Sequence, residues 1–353
     1  MRARQPDATG SGSLTALPDL VKSGPLAGTR TRIEVSEALS GARLERLTLA
    51  DGRRMVLKHL PAAGDWLTRL TNGLGRAQWL WDSGLLRRLA PAVEHGVLAV
   101  QRGGNHDVVV MDDLSDRLWP PSTPLGLEQA RAALAALAEV HQLGIGLVEA
   151  GQLAGAELCS VGARYGMTAP AWHRGDAGPH PHPNREWILK AWETFFDSVE
   201  GDVGAAVAAV HADPFRLGRK ISARCLSPTV LHGDPKPENL GVTGSRLTAI
   251  DWGELTGIGP REVDVAWFAL MSTKSRLAAK PDEIFMLYEQ LSGSTLDPVI
   301  VDLACVGSLA QMGCRFAHLA HNGQHPEARQ RATVRLAWWS ARVRAALARG
   351  NTP

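Results

Sequence analysis

The sequence predicts an α+β protein of two lobes: a small antiparallel-sheet lobe, then a larger, mainly helical one, with a cleft between them. Three observations predict it. β-rich runs separated by short turn signals fill residues 31–111. Acidic residues and prolines interrupt that pattern between Met111 and Pro124. Apolar residues then recur at helical spacing through most of the remaining chain. The expected boundaries are a leader over 1–28, a β-rich lobe over 29–111, a linker over 112–124 and a helical lobe over 125–353.

The leader is rich in Gly, Ser and Pro, lacks the apolar stretch of a secretory signal and is expected to be mobile. Strands are expected over 31–39 and 42–50, separated by Ser40-Gly41. Asp51-Gly52 leads into a third over 53–60, since Asp-Gly between β-rich runs favours a hairpin. A helix over 75–89 and strands over 92–100 and 107–111 complete five antiparallel strands with one helix. Beyond Pro124, the stripe Leu127, Ala130, Leu134, Leu137 and His141 predicts a helix that Gly144 and Gly146 should end. Residues 168–185 are rich in Pro, Gly and His and read as a flexible loop. Helix is expected over 185–210, short strands at 229–231, 240–242 and 247–250, and helices over 263–271, 282–291, 298–319 and 327–349. In the last of these, Arg331, Arg335, Arg342 and Arg349 form a row that reads as a solvated face.

Composition narrows the function. The 353 residues are 44% hydrophobic and 21% charged, as in an ordinary soluble protein. A net charge of +2 is too balanced for a nucleic-acid or membrane-surface partner. No uninterrupted apolar run reaches the roughly 18 residues of a membrane span. Cys159, Cys225, Cys305 and Cys314 form no CxxC pair, which suggests free thiols in a reducing cytoplasm. Neither a G-x-x-x-x-G-K-[ST] loop nor a G-x-G-x-x-G turn after a strand is present, against a Walker-type NTPase or a dinucleotide enzyme. His173, His180 and His182 lack acidic or cysteine partners at metal-ligand spacing.

One stretch carries chemistry. It reads His232-Gly233-Asp234-Pro235-Lys236-Pro237-Glu238-Asn239, and twelve residues beyond Asn239 comes Asp251-Trp252. Phosphoryl transfer needs positioning, Mg²⁺ between phosphate oxygens and a carboxylate near the attacking hydroxyl. Asp234 is the candidate base. Asn239 and Asp251 are hard oxygen donors suited to Mg²⁺. The competing reading is a turn whose Asp and Asn cap local backbone, and the full spacing disfavours it. Lys58, in the alternating run Val56-Leu57-Lys58, would point to one sheet face, toward the cleft and a nucleotide's phosphates. Alone, a strand lysine is usually a solvated edge residue.

At His232, Gly233, Asp234, Asn239 and Asp251 the chain resembles the aminoglycoside phosphotransferase family, a branch of the protein-kinase-like fold, with the likeness extending over roughly 31–320. The resemblance implies that Asp234 is the catalytic base, that Asn239 and Asp251 bind magnesium and that Lys58 contacts phosphates. It also implies an adenine held by the backbone of Met111, Asp112, Asp113 and Leu114. Asp264 would brace the catalytic loop, and His141 and His232 would pack beneath it. Ser40-Gly41-Ala42 would cover the phosphates, with a single glycine. Lys236 could neutralise the transferred phosphoryl group, or be a solvated loop lysine. The family's Lys–Glu pair has no counterpart, for between His59 and Val93 the only acids are Asp65 and Asp82.

The expected function is therefore ATP- or GTP-dependent, Mg²⁺-requiring transfer of a γ-phosphoryl group to a hydroxyl of a small molecule, an aminoglycoside-like antibiotic or another metabolite. The alternative is a catalytically silent, nucleotide-binding scaffold, motivated by the missing glutamate and the sparse glycine turn. A protein kinase is disfavoured by the lack of an A-P-E segment. A polycationic acceptor would need converging carboxylates, with Glu193, Asp197, Glu200, Asp202, Glu254 and Glu262 available. Trp172, Trp187, Trp192, Phe195 and Phe196 offer apolar surface instead, or core. Oligomeric state is not legible.

Overall fold

The computed structural model describes residues 28–33, 42–61, 63–102, 106–120, 125–154, 156–176, 178, 180–243, 246–272 and 280–353. Most of the leader, the Ser40-Gly41 turn and the end of the linker at 121–124 lie outside the described residues.

Among the described residues, β1 (Gly28–Ile33), β2 (Arg43–Leu49), β3 (Arg54–Pro61), β5 (Val97–Arg102) and β6 (His106–Asp112) form one antiparallel sheet in the order β1-β2-β3-β6-β5. Alternation sets its two faces. Leu47, Leu49, Met55, Leu57, Val108 and Val110 bury together on one side, which sends Val56 and Lys58 to the other.

Two expectations in this lobe are corrected. The helix expected over 75–89 is broken into α2 (Arg76–Asp82) and α3 (Leu85–Leu89), because Gly84 takes a left-handed φ of 70° between them. Before it runs α1 (Trp66–Thr71), started by Asp65, whose side chain accepts from the Thr68 N–H. The strand expected over 92–100 divides at Gly96, which has φ 69°. Its first part, β4 (Val93–Glu94), leaves the sheet and pairs in parallel with β9 (Arg246–Ala249), stitching the two lobes together.

Helix α4 (Leu127–Glu149) does not stop at its glycines. A Cβ at Gly144 would sit 2.3 Å from Thr229 Oγ1 and 2.6 Å from Val230 N. The glycine lets β7 (Thr229–Leu231) approach the helix, at a helix cost of about 1 kcal/mol. The stretch 168–185 is likewise no flexible loop. It contains α6 (Pro170–Gly175), which follows α5 (Val161–Tyr165), and it buries His173 and His182 to 1% and 3% exposure. Their rings pack on Trp66 at 5.6 and 4.5 Å, and Arg69 of α1 pairs with Asp176 at 2.7 Å.

Helices α7 (Arg185–Ser198), α8 (Gly201–Ala212) and α9 (Pro214–Arg224) come next, the last unexpected and begun by an Asp213 cap with proline behind it. Strands β7, β8 (Leu240–Thr243) and β9 lie within a residue of expectation, and β10 (Gly257–Gly259) is added beside β7. Helix α10 (Glu262–Ser272) is buried along its whole length. Helices α11 (Pro281–Ser292), α12 (Pro298–Asn322) and α13 (Pro326–Ala348) complete the lobe. By length and composition α4 and α12 could cross a membrane, but the apolar window of α12 is 83% buried inside the protein.

The arginine row is only partly solvated. Arg342 pairs with Asp282 at 3.1 Å and Asp302 at 3.2 Å. Arg349 grips Asp302 with two bonds of 2.7 and 2.9 Å. Arg342 and Arg349 fasten α13 to α12.

Candidate active site

The loop between β7 and β8 is shaped from its backbone outward. Gly233 has φ 89°, and a Cβ there would fall 1.9 Å from Leu255 O, so only glycine fits. Asp264, at the start of α10 and fully buried, accepts the N–H of His232 at 2.8 Å and of Gly233 at 3.1 Å. Arg164 of α5 donates at 2.9 Å to the same oxygen, Oδ1, as Gly233, and His141 lies 3.5 Å from Oδ2. Burial alone would raise the Asp264 carboxyl; His141 and Arg164 outweigh it and hold it well below the ordinary carboxylate range. His232 donates from Nε2 to Ile250 O at 2.9 Å and accepts the Asp234 N–H on Nδ1 at 3.2 Å. Burial keeps its ring neutral, and Trp252 covers it at 4.5 Å. Both histidines are hydrogen-bonded core residues.

This scaffold presents Asp234, 8% exposed. Its Oδ2 accepts from Lys236 Nζ at 2.6 Å and Asn239 Nδ2 at 3.1 Å, and its Oδ1 accepts from Trp267 Nε1 at 2.8 Å. Sequence reasoning missed Trp267 and Arg164. Trp267 lies on α10 three residues beyond Asp264, and the Arg164 guanidinium stacks 5.1 Å from its ring. Helical spacing after Asp264 was the available signal for Trp267; Arg164 left none.

Asn239 spends its Nδ2 on Asp234 and its backbone carbonyl on the Ile250 N–H. That orients its side-chain oxygen away from the base and ties the loop to the residue before Asp251. Asp251 itself has φ 69°, a left-handed turn that Asp tolerates better than most residues. Its side chain is 40% exposed and pairs with Lys58 at 2.7 Å. The ammonium of Lys58, then burial working against it and the charge of Lys236, leave Asp251 well below the ordinary carboxylate range. Burial would lower Lys58, yet Asp251 and Glu254 together raise it. Lys236 is raised for the same reason, Asp234 and Asp251 outweighing its burial. Lys236 is thus an ion-pair partner of Asp234, not a solvated loop lysine.

The linker is ordered where it leaves the sheet. The amides of Asp112 and Asp113 donate to Gly96 O at 2.8 Å and Arg54 O at 3.1 Å. Met111 pairs across to Val56 and Val97, and Leu114 is buried. The structure therefore gathers Lys58, Lys236, Asp234, Asn239 and Asp251, with Met111 to Leu114 at the end of the same sheet. Ser40 and Gly41 lie outside the described residues. A surface hollow of about 320 Å³, lined by Arg69, Ala171, Trp172, Gly175, Asp176 and Gly178, includes none of these groups.

Comparison with known proteins agrees with this geometry. The pattern of the phosphotransferase enzyme family matches residues 34–286. The chain belongs to that family. Its members are small-molecule phosphotransferases, and the fold is the protein-kinase-like one. No curated protein matches in sequence. Among solved structures, the choline kinase LicA of Streptococcus pneumoniae is similar over 91% of this chain and 98% of its own, at 14% identity and a TM-score of 0.51. The aminoglycoside phosphotransferase APH(3'')-Id of Streptomyces rimosus, solved with ADP and streptomycin, is similar over 84% and 97%, at 14% identity and a TM-score of 0.50. Spectinomycin phosphotransferase APH(9)-Ia, solved with ADP and spectinomycin, is similar over 95% and 99%, at 12% identity and a TM-score of 0.50. At these identities the likeness is one of fold.

Proposed function

We propose that this phosphotransferase moves the γ-phosphoryl group of ATP or GTP to a hydroxyl of a small molecule, with Asp234 as the base. The observation that carries the reading is a continuous set of contacts: Asp234 holds Lys236 and Asn239, the Asn239 carbonyl accepts the N–H of the residue before Asp251, and Asp251 pairs with Lys58. The acceptor oxygen forms the new bond to phosphorus as the bond to the nucleoside diphosphate breaks, and the hydroxyl proton passes to Asp234. A carboxylate oxygen accepts about two hydrogen bonds. Lys236 and Asn239 fill Oδ2, which leaves Oδ1, beside Trp267, to receive the acceptor. Lys58 holds the phosphates, and Lys236 offsets charge on the group in transfer.

Asn239 and Asp251 would hold Mg²⁺. The donor set fits a hard cation: an amide oxygen turned away from the base and a carboxylate that stays ionised and partly exposed. Bound there, the ion would neutralise phosphate charge. An adenine at the linker would meet the Leu114 N–H and the carbonyls of Asp112 and Asp113, the two preceding amides being donated already.

A polycationic acceptor would need carboxylates free to gather it. Of the acids that could gather one, Glu200 pairs with Arg344 at 2.5 Å, Glu254 faces Lys58 and Glu262 accepts the Asp297 N–H at 2.9 Å. Glu193 and Asp197 are exposed on α7. Trp192 and Phe195 are core, at 1% and 0% exposure. The test is nucleotide turnover with Mg²⁺ against a panel of hydroxylated acceptors, wild type beside Asp234→Ala. Acceptor-dependent product that falls by roughly 10²–10⁴-fold in the variant is expected. Undiminished turnover in the variant would sink the assignment, and nucleotide binding without transfer to any acceptor would replace it with a scaffold.

A further inference from the structure

The kinase-like fold leads one to expect a glutamate from the helix behind the sheet to hold the strand lysine, and this chain has none between His59 and Val93. Of the acids present there, Asp65 caps α1 and its charge acts on Lys58 only after those of Asp251 and Glu254, and Asp82 accepts from Gln78 at 2.8 Å. We propose that Glu254, from the other lobe, is the positioning residue for Lys58. Its Oε2 lies 3.8 Å from Lys58 Nζ, on the same ammonium that Asp251 contacts at 2.7 Å.

The two carboxylates differ in what surrounds them. Asp251 is 40% exposed on its side chain and open to a cation, whereas the Glu254 side chain is 10% exposed and turned inward. When Asp251 turns to a metal-bound nucleotide, Glu254 is the acid still in ion-pair contact that keeps the ammonium aimed at the phosphates. The loop that carries it is built for that duty. Residues 253–256 close a tight turn, Thr256 N–H donating to Gly253 O at 3.0 Å and Gly253 N–H to Thr256 Oγ1 at 3.1 Å.

Helix α2 supplies the second half of the device with inverted polarity. Its first residue, Arg76, is 3% exposed and donates to the main-chain carbonyl of Glu254. The same guanidinium donates to Thr71 O at 2.7 Å and Glu157 O at 2.9 Å. The helix that would have offered an acid to the lysine instead offers a cation to the backbone of the loop that brings the acid. One of the two motives for a catalytically silent scaffold, the unpartnered lysine, thereby disappears.

This inference rests on the reading that Lys58 binds phosphates, so the test keeps the two apart. ADP with Mg²⁺ is titrated calorimetrically into wild type, Glu254→Gln, Lys58→Met and the double variant. Gln preserves the shape and the main-chain contact with Arg76, so the fold is retained, which thermal unfolding checks. The expected result is binding about fivefold weaker in Glu254→Gln, the upper end for one ion pair. In the Lys58→Met background the same substitution should change binding less than about twofold, because the glutamate acts through the lysine. In turnover, the KM for nucleotide should rise while the KM for acceptor stays. Wild-type-like binding by Glu254→Gln, or an equal loss in both backgrounds, overturns the role of Glu254 and leaves the phosphotransfer reading standing. A wild type that does not bind ADP overturns both.

Discussion

Asp264 and Asp302 are both buried carboxylates offset by arginine, at 0% and 1% exposure, and they do different work. Asp264 spends its oxygens on the peptide N–H groups of His232 and Gly233 as well as on Arg164. Its charge therefore fixes backbone, and that backbone carries the base. Among the described residues, Asp302 receives side chains alone, those of Arg342, Arg349 and Asn351. Its charge fastens α13 and the residues just after it to α12. Burial and charge are the same in the two places; what a buried acid accepts from decides whether it serves the site or the fold. Neither arrangement is strong evidence of stability by itself, since two ions must first leave water.

The largest effect should come from Asp264→Ala. It strands Arg164 without a counter-charge and leaves two loop amides unpartnered, a loss of about 3–5 kcal/mol. Urea unfolding should show that loss, and turnover should vanish even where the variant remains folded. Residual turnover near the wild-type level would break the comparison. Asp302→Ala should cost less, about 2 kcal/mol, because Arg342 and Arg349 can turn to water. Its turnover per folded molecule should stay within about twofold of wild type. A larger drop would mean that the chain end reaches the site after all.

Much of this fold and site is legible in the amino-acid sequence, and the reason is local. The β-hairpin at Asp51-Gly52, the helix stripes and the His232 to Asp251 spacing are written in consecutive residues, so period and turn chemistry report them. Lys58 is legible because alternation fixes its face. What the sequence could not carry is non-local. Gly144 looks like a helix stop until Thr229 and Val230 are seen against it. The prolines of 168–185 suggest mobility until Trp66 is seen covering His173 and His182. The carboxylate that meets Lys58 from 196 residues away, Glu254, has no local signal at all.

Trp267→Phe sharpens the comparison from the catalytic side. The ring remains under Arg164 while the N–H to Asp234 Oδ1 is lost. A hydrogen bond to a charged group is worth about 1.5–3 kcal/mol, so kcat should fall by at least about tenfold with nucleotide affinity unchanged. Loss of stability with kcat intact would place Trp267 with Asp302, as a fold residue.

Acid tests the comparison more gently. His182 sits against Trp66 and His173, and burial pushes it down to about 4 from an ordinary 6.5, so the folded state holds it neutral. Between those values the unfolded chain binds the extra proton, and stability therefore rises with pH across that window and declines as pH falls through it. Asp264 works in the same direction but lower: its contribution is present above the ordinary carboxylate value and is lost only as pH falls toward its depressed folded value. The clamp between α1 and the 168–185 stretch should thus weaken before Asp264 does. Denaturation from pH 7 to 4.5 should show a decline that His182→Phe reduces by about 1 kcal/mol, while His211, which burial also pushes down to about 4, keeps its own share. A decline unchanged in that variant would move the first acid-sensitive step to another buried histidine such as His211, and the contrast between this neutral clamp and the charged Asp264 anchor would fail.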